Sequence, residues 1–287
     1  MELAVLSDIH GNHTALQKCI EYSLQRGVDA FVFLGDYLGE LAYPQKTMQI
    51  LYQLKKEYPC FFVKGNREDY WLEHRKNETG ALWKEYDSTT GALYYTYHEL
   101  TPQDFAFFQT LSHKAELVFA GLPPVTICHG SPRRVNEKLL PDDENTRRIM
   151  EEEAAAYILC GHTHVQGKIE HAGKVVLNSG SVGIPLHGKG RTQFLLLHGG
   201  QGRWEAEFAE VEYDAEKVIE ELRLCGLYER APSWCRVSES ILRMGGASHG
   251  EVLARAMELC RQKNGSCVWP AVPEECRVQA IGEMLEV

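Results

Sequence analysis

The sequence predicts an α/β fold of the α+β kind: two mixed β-sheets packed face to face, flanked by helices, with a helical extension at the C-terminus. Three observations carry that prediction. Five short apolar runs, Leu3-Ala4-Val5-Leu6 and residues 30–34, 60–63, 125–128 and 157–160, have the length and uniform hydrophobicity of strands buried on both faces. Helical periodicity follows the first two runs, the alternation expected of parallel strands with crossover helices. Later runs are joined by turn sequences, and a change from crossovers to hairpins implies two sheets, or a mixed one.

After Asp8-Ile9-His10-Gly11-Asn12, the positions Leu16, Cys19, Ile20 and Leu24 keep helical spacing until Gly27 closes the helix. Residues 28–36 supply the second strand and its Gly35-Asp36 ending, followed by a helix through Met48, Leu51, Tyr52 and Leu54. The third strand ends at Gly65-Asn66. From about 69 to 113 the strand pattern gives way to an aromatic, helical insertion. Within it, Thr101-Pro102-Gln103-Asp104 opens a helix with a capping hydroxyl, a proline at the first position and an acid in the first turn. Residues 116–119 and 125–128 flank Gly121-Leu122-Pro123-Pro124 as a hairpin that delivers His129. Residues 157–160 lead into Gly161-His162-Thr163-His164, and 175–177, 194–197 and 205–211 read as further strands. Asp214 caps a helix that stops at Gly226, Ser248-His249-Gly250-Glu251 is a capping box, and Pro273 opens a last helix. Residues 1–211 therefore form the main domain, and 212–287 a helical extension or cap packed on it.

The chemistry lies in how the strands end. Asp8 and His10, Asp36, Asn66, His129, and the pair His162 and His164 directly follow the five apolar runs. In open α/β sheets, ligands collect beyond the carboxyl ends of strands, so five such endings converge on one rim. A single Asp or Asn there is ordinarily a turn residue or a helix cap, but turn chemistry gives no reason for four histidines in the set. Three carboxylate or amide oxygens with four imidazoles suit Mn, Fe, Zn or Co better than Ca or Mg alone. Seven ligands exceed one ion's shell and fit two ions about 3.5 to 4 Å apart, bridged by a carboxylate. The expected cofactors are therefore two divalent or trivalent transition-metal ions.

In this order, Asp-x-His, Gly-Asp, Gly-Asn-x-Glu, His-Gly and Gly-His-x-His resemble the calcineurin-like metallophosphoesterase superfamily, in particular its small prokaryotic branch with Ser-Asp-Ile-His-Gly-Asn. The resemblance covers roughly residues 1–210 and implies a four-layer sandwich of two packed sheets with outer helices. It implies that Asp8, His10 and His164 hold one ion, Asn66, His129 and His162 the other, and that Asp36 bridges them. It further implies a phosphoesterase that attacks a phosphomonoester or phosphodiester with a metal-bridging hydroxide, with Asp36, Asn66, His129 and Arg67 closest to the chemistry. Asn178-Ser179-Gly180-Ser181 stands where relatives have Asn-Pro-Gly-Ser and is expected to support the rim. Where many members have Gly-Asn-His-Asp or Gly-Asn-His-Glu, with the histidine as proton donor, this chain has Gly65-Asn66-Arg67-Glu68. Arginine cannot serve as that acid, so Arg67 is expected either to clamp phosphate with Glu68 as its partner or to form a surface ion pair. Asn12 and Arg133 are further candidate phosphate contacts, and His13 or His187 could take over protonation. His74, His98, His113, His171, His198 and His249 follow no motif and read as solvent-facing or core-satisfied.

Composition bounds the partners. A net charge of −10 disfavours extended nucleic acid and favours a small phosphorylated substrate. The chain enters a strand at Glu2 without a signal-peptide pattern, and no run reaches membrane-spanning length. Nine scattered cysteines without Cys-x-x-Cys read as free thiols, so a reducing cytoplasm is the expected compartment. Homo-oligomerisation stays open. Two other classes compete: a metal-binding scaffold or protein-interaction module without turnover, and a nuclease using a patch around Arg133, Arg134, Arg147 and Arg148.

Overall fold

The computed structural model describes residues 1–77 and 83–285. Residues 78–82 of the expected insertion and 286–287 of the expected extension lie outside the described residues. The elements run β1 (Glu2–Leu6), α1 (His13–Gln25), β2 (Ala30–Phe33), α2 (Pro44–Glu57), β3 (Cys60–Phe62), α3 (Asn66–Lys76), α4 (Gly91–Glu99), α5 (Pro102–Thr110), β4 (Lys114–Leu117) and β5 (Val125–Cys128). They continue with α6 (Glu144–Glu152), β6 (Tyr157–Cys160), β7 (Gln166–His171), β8 (Lys174–Ser179), β9 (Arg191–Gly200) and β10 (Arg203–Glu212). A helical region completes the chain: α7 (Ala215–Leu224), α8 (Leu227–Arg230), α9 (Pro232–Met244), α10 (His249–Asn264) and α11 (Glu274–Met284).

The strands form two mixed five-stranded sheets, ordered β10-β9-β1-β2-β3 and β4-β5-β6-β8-β7. In the first, β1, β2 and β3 are parallel and β9 lies antiparallel to β1; in the second, β5, β6 and β8 are parallel between antiparallel edges. Period-two alternation sorts the side chains. Leu3, Val5, Val32, Leu195 and Leu197 meet Val125, Ile127, Leu159 and Leu177 between the sheets. Ala4, Leu6, Phe31 and Phe33 point the other way, into the helices and the aromatic insertion. Cys128, Ile158, Cys160 and Val176 do the same beneath Ile149 and Met150 of α6. These strands are thus apolar on both faces, as their uniform sequences require.

Three elements escape their sequence patterns for identifiable reasons. β7 is an edge strand whose alternating polar residues leave Ile169 as its one packed aliphatic side chain. α6 carries charge at five of its nine positions and buries only Thr146, Ile149 and Met150. α9 hides its buried stripe in small residues, Ser233, Cys235 and Ser238, beside Val237, Ile241 and Leu242. β3, expected to be buried on both faces, is an edge strand and only half buried.

The C-terminal helices share a core with the main body. Leu41, Ala42 and Ile184, from loops at the strand ends, pack among Ile219, Leu222, Leu227, Ile241 and Ala256. No helix among the described residues is long and apolar enough to cross a membrane. Because Leu195 is fully buried between the sheets, Leu195→Ala should cost about 2–5 kcal/mol. A chemical-denaturation midpoint equal to that of the parent chain would contradict this packing.

Candidate metal centre

Every strand-end residue singled out above reaches the same rim. Asp8 Oδ1 lies 3.1 Å from His164 Nε2, 3.6 Å from His10 Nε2 and 3.8 Å from His129 Nε2. Asp36 Oδ2 lies 3.5 Å from His129 Nε2 and 3.8 Å from His10 Nε2. Asn66 Oδ1 is 3.2 Å from His129 Nε2, and the His129 and His162 rings are 5.0 Å apart. Two groups with ligating atoms within 4.8 Å of one another emerge among the described residues: Asp8, His10 and His164, and Asp8, Asp36 and His129. Asp8 joins them.

The local backbone is bent to achieve this. Asp8, His10, Asp36, His162 and His164 all have positive φ, between 51° and 66°. Such a conformation costs of order 1–3 kcal/mol for each non-glycine residue and persists only where the surroundings enforce it. The enforcement is visible in hydrogen bonds: Asp8 N–H donates to Gly35 O, His10 N–H to Asp36 O, and His162 N–H to Asp8 Oδ2 at 2.9 Å. Two glycines admit the carboxylates. A Cβ on Gly65 would collide with Asp36 Oδ1, and one on Gly161 with Ser7 Oγ and Asp8 Oδ2.

The donor chemistry fits cations. Leu34 O lies 2.9 Å from His129 Nδ1, and Ile184 O lies 3.0 Å from His164 Nδ1. A carbonyl can only accept, so each Nδ1 carries a proton, and in its neutral form each ring has its Nε2 lone pair turned to the rim. Glu40 performs the same service for His10 Nδ1 with a charged oxygen. Burial opposes a charge on His10, but the carboxylates of Glu40, Asp8 and Asp36 together outweigh it and raise the imidazole's pKa to about 10. Burial pushes His162 down to about 4, which keeps it neutral and able to ligate. Burial also disfavours ionised Asp8, yet the imidazoles of His164 and His129 hold its carboxyl well below the usual range. Asp8 Oδ1 is sealed from solvent and accepts no hydrogen bond, an orphaned carboxylate oxygen of the kind a cation would satisfy.

The flanking residues sort differently from expectation. Glu68 does not pair with Arg67. It turns inward, where its carboxylate accepts the N–H groups of Asp36, Tyr37 and Gly65 at 3.0, 3.0 and 2.7 Å. Arg67 pairs instead with Glu40, and its own N–H donates to Asp36 Oδ1 at 2.8 Å. Asn12 caps α1 by accepting from Ala15 N–H and donates to Gly183 O, so its buried side chain serves the turn. Arg133 lies outward, against Glu152 and Asn145. His13 faces Glu221 at 3.4 Å, and His187 is exposed. Asn178 donates to Gly161 O at 2.6 Å and Ser181 Oγ donates to Asp8 O at 2.8 Å, tying that segment to the rim.

A basin of about 520 Å³ opens over the centre. Arg67, Lys138, Glu40 and the first turn of α10 share its wall with the rim residues. Glu40, Lys138 and His249 were not identified from sequence. Glu40 stands in no motif, and His249 belongs to a capping box that explains itself without a site. Burial pushes His249 down to about 3, and its ring lies 3.0 Å from Ser238 Oγ. If Glu40 orients His10, Glu40→Gln should weaken metal binding by about 10- to 100-fold. Metal-buffered titration would read this, and an unchanged affinity would contradict the role.

Comparison with known proteins agrees with this geometry. Residues 1–202 match the family described as Calcineurin-like phosphoesterase superfamily domain. The uncharacterized protein MJ0912 of Methanocaldococcus jannaschii is 27% identical over 257 residues, covering 81% of this chain and 94% of that one. The fold is similar to that of hypothetical protein PH1004 from Pyrococcus horikoshii OT3, with a TM-score of 0.72 at 19% identity over 86% of this chain and 99% of the other. It is also similar to a metallophosphoesterase from Sphaerobacter thermophilus, with a TM-score of 0.65 at 21% identity over 83% and 100%. From the ordered ligand motifs, the paired mixed sheets and the match over residues 1–202, the chain belongs to the calcineurin-like phosphoesterase superfamily.

Proposed function

We propose that this chain is a metal-dependent phosphoesterase that hydrolyses a phosphomonoester or phosphodiester of a small molecule by direct attack of water. The observation that carries this reading is the buried rim of Asp8 and Asp36 facing imidazole Nε2 atoms that are already oriented as ligands. Asp8, His10 and His164 would hold one transition-metal ion, Asn66, His129 and His162 a second, and Asp36 would contribute to both. Such ions, when bound, supply Lewis acidity toward phosphoryl oxygens and make hydroxide available near neutral pH.

The remaining work falls to the protein's own groups. Arg67 N–H fixes Asp36 Oδ1, so the carboxylate keeps one orientation while its other oxygen faces the rim. The Lys138 ammonium lines the basin beside the Arg67 guanidinium, which shares its charge with Glu40, and both would face an anionic substrate. Arg67 cannot give up a proton, and burial keeps His249 neutral. Esters with good leaving groups are therefore favoured, because general acid catalysis is worth about a hundredfold to ten-thousandfold. A small substrate also suits the surroundings, since Arg133 and Arg147 are matched by Glu152 and Asp142.

The test is hydrolysis of p-nitrophenyl phosphate beside bis-p-nitrophenyl phosphate after metal stripping and separate addition of Mn, Fe, Zn, Co or Mg. Turnover should return with a transition metal and fall to background in Asp36→Asn. Absence of turnover with every metal would leave a binding scaffold, and a near-normal rate in Asp36→Asn would refute the paired-cation reading.

A further inference from the structure

A second cavity, of about 570 Å³, adjoins the basin, and Arg67, His249 and Gly250 line both. Past this junction the walls are rings: Tyr70, His74, Trp83, Trp234 and Trp269. Two ring pairs are already stacked, His74 on Trp83 at 3.9 Å and 2°, and Trp234 on His249 at 4.0 Å and 25°. Trp83 is held from behind by Trp71 and Tyr97, both edge-on to it. Packing of this kind holds the rings in place, so a further ring would bind without the walls having to be ordered first.

The lining also discriminates between kinds of occupant. Leu93 and Leu253 are the only aliphatic side chains among its described residues, which is poor provision for an alkyl or acyl chain. Glu73, Asn77 and Thr89 intersperse polar groups among the rings, as a flat group with heteroatoms at its edge requires. The volume lies within the range of small-ligand sites. The walls come from α3 with Asn77, from Trp83, Thr89 and Leu93 before and within α4, and from α9, α10 and the loop before α11. Trp234, His249, Leu253 and Trp269 stand outside residues 1–202, so this surface is added to the shared phosphoesterase body.

We propose that the ring-lined cavity beyond Arg67 and His249 receives a planar aromatic group attached to the substrate's phosphate, so that the substrate class is an aromatic phosphoester. This rests on the phosphoesterase reading for the phosphate end alone. An aryl group and a nucleobase share the chemistry, and both have π faces that stack on Trp and Tyr.

Calorimetric titration of the Mn-loaded full chain with matched phosphonates tests this without turnover. Benzylphosphonate is set against ethylphosphonate, and the phosphonate analogue of AMP against that of ribose 5-phosphate. The aromatic member of at least one pair should bind about tenfold tighter, the lower part of the range for stacking one base on aromatic side chains. A margin in the benzyl pair alone assigns an aryl group, and one in the nucleotide pair alone a nucleobase. That margin should shrink several-fold in Tyr70→Ala and in Trp269→Ala, whose rings are 41% and 43% exposed and leave the core intact. Equal binding within both pairs, or a margin that survives both substitutions, would overturn the proposal. Ester hydrolysis run in parallel separates the two claims: turnover without an aromatic margin removes the cavity assignment alone, and a margin without turnover removes the phosphoesterase reading alone.

Discussion

Asp8 and Asp36 are carboxylates held together inside the protein, 0% and 2% exposed, and the rest of the structure answers to that constraint. Burying an ionised carboxylate costs several kcal/mol unless partners compensate. Here Glu40 and Glu68 are buried around the same rim as well. The imidazoles, Arg67 and the inward N–H groups offset part of this. Asp8 Oδ1 keeps no hydrogen bond at all. A rim of this composition has the electrostatics and donor atoms to hold a cation, before any chemistry is assigned to it.

The fold serves that rim from two directions. Parallel strands of both sheets bring their carboxyl ends together, and left-handed residues at Asp8, His10, Asp36, His162 and His164 turn the chain so that side chains face inward. Glu68 and Arg67 then act in series. Glu68 binds the backbone that carries Asp36, and Arg67 binds its side chain. The C-terminal helices close the far side of the basin, with the first turn of α10 on its wall and Ile241 of α9 beneath. Their shared core with Leu41 and Ile184 fixes this placement.

Much of this was legible in the sequence because strand ends are local. An apolar run followed by Asp, Asn or His marks both the strand and the side chain at its end, so all seven residues that meet at the rim could be named and the two sheets anticipated. Other parts depend on contacts between distant segments. Nothing near Glu40 marks it as the partner of His10 and Arg67, and Glu68 looked like the nearer partner for Arg67 until its carboxylate was found under the backbone of Asp36 and Gly65. Asn12 kept the helix-capping role that its position after a turn suggests. His249 reached the basin because α9 and α10 fold back over it, and α9 itself was masked by buried serine and cysteine in place of aliphatic residues.

The measurement that bears most directly on the centre is anomalous diffraction from crystals of the metal-loaded protein, collected on either side of the metal absorption edge. Two peaks at the rim are predicted, one against Asp8, His10 and His164, the other against Asn66, His129 and His162, with Asp36 reaching both. A single peak, or none at the rim, would contradict a paired-cation centre.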